Sequence, residues 1–177
     1  MVRHYVTFIP ERDMTTSATD PISSRDPYVI WSSLFGVGLL PRAPGTWGSI
    51  AAALIWWWTL ADLHQLVQAL LIVAYFLLSW WAAHVVGRKY KVADASLIVS
   101  DEVAGMWVAL LMAPRLWWVV VLAFVIFRIL DIVKPGPIGW LDRNVKGGLG
   151  VMLDDLAAGL ITALAVLLVT RFALSAG

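Results

Sequence analysis

The sequence predicts an all-α fold: a polytopic membrane helical bundle with about four to five membrane helices, some of them short or re-entrant. Its 177 residues are 60% hydrophobic and only 14% charged, with a mean hydropathy of +0.80. That is more apolar surface than one soluble core of this size can hide. The 11 tryptophans gather near the ends of apolar runs, as at Trp56 to Trp58, Trp80 and Trp81, and Trp117 and Trp118. An indole has an apolar body and one N–H donor, so it favours the membrane boundary.

Residues 1–27 mix three arginines with acids and a Thr/Ser-rich middle and lack the apolar core of a signal peptide, which reads as a mobile polar cytoplasmic tail. Residues 28–177 then form a single helical membrane domain. Tyr28 to Leu40 is apolar but too short to cross, and is expected at the interface. Trp47 to Ala61 and Leu66 to Val86 flank a turn with Asp62 and His64, which predicts an antiparallel helix pair. Glu102 to Ala113, stopped by Pro114, is well short of a ~30 Å hydrocarbon core. It is a thin crossing or half of a re-entrant hairpin. Leu116 to Val133 ends before Pro135, and Leu156 to Leu174 is the last helix.

With the tail in the cytoplasm and Trp47 to Ala61 as the first crossing, Arg42, Arg88, Lys89, Lys91, Arg128, Lys134, Arg143 and Lys146 fall at the cytoplasmic face. Arg115 and Arg171 fall outside, an asymmetry that follows the positive-inside rule. The net charge of +1 and the scattered basic residues argue against nucleic-acid binding. The absence of cysteine excludes disulfides, thiolate zinc sites and iron-sulfur clusters.

This topology gathers Asp101 with Glu102, Asp131, and Asp154 with Asp155 at the cytoplasmic boundary. Carboxylates at one depth repel unless a cation or protons compensate, so a site for a hard metal such as Mg²⁺ follows. Acids in a helix's first turn are also stabilised by the macrodipole, with Ser100 as a possible cap, so both adjacent pairs have a purely structural reading as well. Adjacent helical residues point about 100° apart, so each pair is expected to supply one ligand and one supporting acid. Asp131 lies near a helix C-terminus, where the dipole disfavours an anion. Its structural explanation is an ion pair with Arg128 or Lys134.

Ala43-Pro-Gly-Thr-Trp-Gly-Ser enters a helix with Thr46 as the expected N-cap, leaving N–H groups near Gly45 for a phosphate or simply forming a packing turn. The stretch from Lys134 to Gly150 reads as a turn-rich loop whose Lys134, Arg143 and Lys146 either clamp a phosphate or anchor the inner face. No Asp-x-Asp phosphatase signature, P-loop or credible histidine nucleophile is present. Metal-assisted displacement at phosphorus is what remains for a phosphate enzyme.

Taken together, Leu40-Pro-Arg-Ala-Pro-Gly-Thr-Trp-Gly-Ser, Asp101-Glu-Val-Ala-Gly-Met-Trp, Phe127-Arg-Ile-Leu-Asp-Ile-Val-Lys-Pro-Gly-Pro-Ile, Asp142-Arg-Asn and Gly147-Gly-Leu-Gly-Val-Met-Leu-Asp-Asp resemble the phosphatidylglycerophosphatase A family. The resemblance runs from about Leu40 to Leu160. It implies a multi-pass enzyme of the bacterial inner membrane, facing the cytoplasm, that hydrolyses the terminal phosphate of phosphatidylglycerophosphate with Mg²⁺ as cofactor. Joined to the acids above, it makes Asp131, Asp155 and Glu102 the expected catalytic residues and Asp101 and Asp154 further metal ligands. Arg128, Lys134, Arg143 and the Gly45–Thr46 helix start are expected to bind the phosphate of a substrate whose tails stay among the membrane lipids. The attacking group is water or an aspartate. A small cation carrier or channel, or an auxiliary subunit whose acids bind a partner, are the competing readings; carboxylates gathered at one face favour the enzyme.

Overall fold

The computed structural model describes residues 22–91, 96–145 and 148–175, so residues 1–21 of the expected tail and Lys146 lie outside the described residues. Seven α-helices are described: α1 (Pro27–Ser32), α2 (Pro44–Ile55), α3 (Gln65–Tyr90), α4 (Ser100–Leu110), α5 (Trp117–Val133), α6 (Pro137–Asn144) and α7 (Gly148–Ser175). A 3₁₀ turn at Val37–Leu39 follows α1, and a π-helical turn at Trp56–Leu60 extends α2. No strand occurs among the described residues.

Four local expectations are corrected. Pro44 takes the first position of α2, where its fixed φ and missing N–H fit, so the N-cap is Ala43 and Thr46 lies inside the first turn. Val99 caps α4 without a side-chain bond, and Ser100 is the first helical residue, its hydroxyl buried without a partner. The presumed loop after Lys134 contains α6, started by Pro137. Finally, α7 begins at Gly148 and not near Leu156, which places Asp154 and Asp155 beyond its first turn. The macrodipole account of that pair therefore falls, because the effect fades within one turn. For Asp101 and Glu102, both in the first turn of α4, it holds.

The short α4 is the centre of the packing, and every residue in it except Glu102 is buried. A helix that is apolar all round needs cover on every side, and α2, α3, α5 and α7 supply it, α7 most extensively. The α4–α7 approach is close because a Cβ at Gly159 would stand 2.3 Å from the Gly105 carbonyl oxygen. Trp107 Nε1 donates to the Ala52 carbonyl at 3.0 Å and joins α4 to α2. The N-terminal end of α1 is held to α3 by Asp26, which accepts from Lys89 Nζ at 2.5 Å and Tyr90 Oη at 2.9 Å.

Helices α3 and α7 are long and apolar enough to cross a membrane. Their best windows have mean hydropathies of 2.0 and 2.1, and only 28% of each is buried. The remainder presents leucines such as Leu66, Leu70, Leu77, Leu160, Leu164 and Leu168 outward, a surface of the kind that lipid covers. At one end of the bundle Asp62 pairs with Arg115. The opposite end holds the acids.

Candidate active site

At that end the start of α2, the start of α4, the last turn of α5, α6 and the early part of α7 surround a cavity of about 410 Å³. Its lining includes Gly45, Asp101, Glu102, Asp131, Lys134, Asp142, Asp154 and Asp155. All five acids singled out in the sequence thus reach one cavity. Of the expected phosphate ligands, Gly45 and Lys134 line it, whereas Thr46, Arg128 and Arg143 are not among its lining residues.

Asp101, Glu102 and Asp155 come closest together: one carboxylate oxygen of each lies within 4.8 Å of the others. The α4–α7 packing makes this possible, since a Cβ at Gly105 would stand 2.6 Å from the Asp155 carbonyl oxygen. Asp101 Oδ1 accepts from the Glu102 N–H at 3.0 Å, and Asp154 Oδ1 from the Asp155 N–H at 3.1 Å. In each pair the first acid thus orients the backbone of the second. Asp154 also accepts from Lys134 Nζ at 2.5 Å through Oδ2, which separates its role from that of Asp155. Asp131 does form the ion pair expected as its structural explanation, with Arg128 Nη1 at 2.6 Å, while also lining the cavity.

Two buried polar atoms here have no hydrogen-bond partner among the described residues, Glu102 Oε2 and Arg128 Nε. Buried polar groups are normally satisfied, so a free carboxylate oxygen beside two further acids fits a cation, and the all-oxygen donor set suits a hard one. Arg128 reaches the same spot, its Nη1 3.3 Å from where a Cβ on Gly45 would stand. Lys134 lies just beyond α5. Partial burial works to lower its pKa, but its carboxylate partners Asp142 and Asp154 outweigh this and hold the ammonium above the ordinary lysine range. It is a permanent cation at physiological pH. Arg143 is exposed at the end of α6.

Sequence reasoning missed Asp142 as a member of the cavity, placing it only within the Asp142-Arg-Asn motif. The available signal was a proline at the start of an amphipathic stretch, which marks a helix and returns Asp142 toward Lys134.

Gly45 sits where a Cβ would stand 2.0 Å from Glu102 Oε1. A carboxylate end can swing away, so Gly45→Ala is expected to keep the unfolding midpoint while activity falls ~10–100-fold, the usual cost of disturbing groups that orient a ligand. Thermal unfolding and turnover of the same preparation check both halves.

Fold and site together define an all-α protein with two membrane-length helices and, at one end, a buried acidic cluster able to chelate a metal ion. The family model for Phosphatidylglycerophosphatase A (PgpA) matches residues 30–170. The chain is 40% identical over 147 residues to Phosphatidylglycerophosphatase A of Escherichia coli, covering 82% of this chain and 85% of that protein. It is 34% identical over 146 residues to the Haemophilus influenzae protein of the same name, covering 82% and 90%. It is also 41% identical over 132 residues to the "Putative phosphatidylinositol-3-phosphatase" of Bacteroides thetaiotaomicron, covering 71% and 82%. No solved structure matches. The chain belongs to the phosphatidylglycerophosphatase A family, a membership that supports hydrolase activity in general. The match extends past Leu160 and takes in most of α7.

Proposed function

We propose that this chain hydrolyses the terminal phosphomonoester of phosphatidylglycerophosphate, giving phosphatidylglycerol and phosphate, at the cytoplasmic face of a bacterial inner membrane. The observation that carries the reading is the cavity itself, where Asp101, Glu102 and Asp155 converge beside Lys134 at one end of an apolar bundle. In this reading α2, α3, α4, α5 and α7 cross the bilayer, the short α4 being tolerated because protein, not lipid, surrounds it. Residues 1–27 are a cytoplasmic tail, and residues 28–177 are one catalytic domain. Arg42, Arg88, Lys89, Lys134 and Arg143 mark the cytoplasmic end.

Asp101, Glu102 and Asp155 would hold Mg²⁺, with Asp131 and Asp154 completing the acidic surround. When bound, Mg²⁺ neutralises phosphate charge and stabilises the charge that develops as the phosphorus–oxygen bond breaks. Lys134 presents a fixed positive charge to the phosphate. Arg128, ion-paired with Asp131, adds positive charge beside the Gly45 end of the cavity. The Gly45 N–H adds to the anion site, since Pro44 has none and the Thr46 N–H already donates to the Ala43 carbonyl at 3.0 Å. Arg143, exposed at the end of α6, would act from outside the cavity lining. In the net reaction the oxygen of water ends on phosphate and its proton on the glycerol oxygen. The carrier reading gains nothing here: Thr162 and Thr170 of α7 turn their hydroxyls back to the Ala158 and Val166 carbonyls, each at 2.8 Å.

The test is phosphate release by the purified protein in detergent from phosphatidylglycerophosphate, a phosphatidylinositol phosphate and phosphatidic acid, each with Mg²⁺ or EDTA. Release is expected to be fastest from phosphatidylglycerophosphate and to fall to background in EDTA. No metal-dependent release from any of the three contradicts the proposal.

A further inference from the structure

We propose that Asp142 is a positioning residue: from α6 it holds the Lys134 ammonium between itself and Asp154, where it meets phosphate instead of falling onto Asp131 and Asp155. This rests on the phosphatase reading above. Lys134 Nζ contacts Asp142 Oδ1 and Asp154 Oδ2, each at 2.5 Å, so α6 braces the charge on one side and α7 on the other. All three residues line the cavity. The backbone of Lys134 is left-handed, with φ 46°, a conformation that a non-glycine residue keeps only when its surroundings enforce it.

Helix α6 is docked on this residue. A Cβ at Gly139 would stand 2.4 Å from the Lys134 carbonyl oxygen, so the helix approaches as closely as a glycine allows. Asp142 is 45% exposed, against 5% for Asp154. An ion pair that exposed adds little to stability. Its consequence lies in the lysine, whose flexible four-carbon stem would otherwise let the charge wander. Asp131 and Asp155 line the same cavity, and an ammonium released toward them would compete with a divalent cation for their oxygens.

The experiment is a double-mutant cycle on the full-length protein in detergent, using Asp142→Asn, Asp142→Glu, Lys134→Gln and the Asp142→Asn/Lys134→Gln pair. Asp142→Asn is expected to raise KM roughly tenfold, with kcat changing less, and to raise the Mg²⁺ concentration needed for half-maximal activity. Asp142→Glu should restore most of the loss. In the Lys134→Gln background the Asn exchange should add nothing, because the two residues act as one unit. Thermal unfolding supplies a readout free of turnover: inorganic phosphate with Mg²⁺ should raise the wild-type midpoint but not that of Asp142→Asn.

Wild-type KM and an intact phosphate response in Asp142→Asn overturn the proposal, as does an equal effect in both backgrounds or no phosphate response in the wild type. A wild type that releases no phosphate from lipid overturns the phosphatase reading instead, and the thermal response then decides the role of Asp142 by its loss or retention.

Discussion

Asp155→Asn is expected to lower kcat by roughly 10²–10³-fold, the scale seen when one fixed electrostatic group is removed from a transition state. The same change should make the metal-free protein more resistant to heat. Asp155 has an oxygen within 4.8 Å of oxygens from Asp101 and Glu102, and three carboxyls in a buried site either repel one another or must take up protons when no cation is bound. An amide of nearly the same shape removes one charge without opening a cavity. Adding Mg²⁺ should reverse the order. A cation that binds only the folded wild type stabilises it in proportion to the logarithm of its concentration over Kd, and the variant loses that gain. Unfolding midpoints of both proteins with and without Mg²⁺ check the crossing. A purely structural Asp155 would give a destabilised variant under both conditions.

Gly159→Ala is expected to have the largest effect on stability, costing about 1–3 kcal/mol, the usual range for forcing atoms into a packed interior. Its Cβ would stand 2.3 Å from the Gly105 carbonyl oxygen, and backbone on both sides leaves no flexible end to yield. The helices must part. Since Asp101 and Glu102 ride on α4 and Asp155 on α7, activity should fall with the unfolding midpoint. Leu160→Ala, one position on and facing outward, serves as the control and should leave both nearly unchanged. Equal behaviour of the two variants would show that the α4–α7 approach does not set the site.

Part of this site was legible in the sequence because Asp131 sits where the helix dipole disfavours an anion, whereas Asp101 and Glu102 lie in a first turn that favours acids with or without a ligand. Asp131, near the end of an apolar helix, needed a partner, and Arg128 is that partner. The sequence places Asp154 and Asp155 at a helix start, whereas α7 begins at Gly148 and removes the macrodipole explanation for the pair. Helix positions followed from apolar runs and prolines, and α3 and α5 fall close to their expected limits. What stayed hidden were features set by tertiary packing. The roles of Gly105 and Gly159 depend on which helices touch, something that one helix's own periodicity does not encode. Helix α6 is short and polar, and its one signal, a proline opening an amphipathic stretch, is easily lost in a loop rich in proline and glycine. Its Asp142 became visible only when the fold returned it to Lys134.

The proposed site is one where carboxylates from α4 and α7 share a divalent cation. Its most direct test is a titration of the purified protein with Mn²⁺ as a paramagnetic stand-in for Mg²⁺, following free Mn²⁺ by electron paramagnetic resonance, for wild type, Glu102→Gln and Asp155→Asn. Saturable binding by the wild type, displaced by Mg²⁺ and lost or strongly weakened in both variants, is the predicted result. Wild-type binding that survives both substitutions, or no binding at all, would contradict the account.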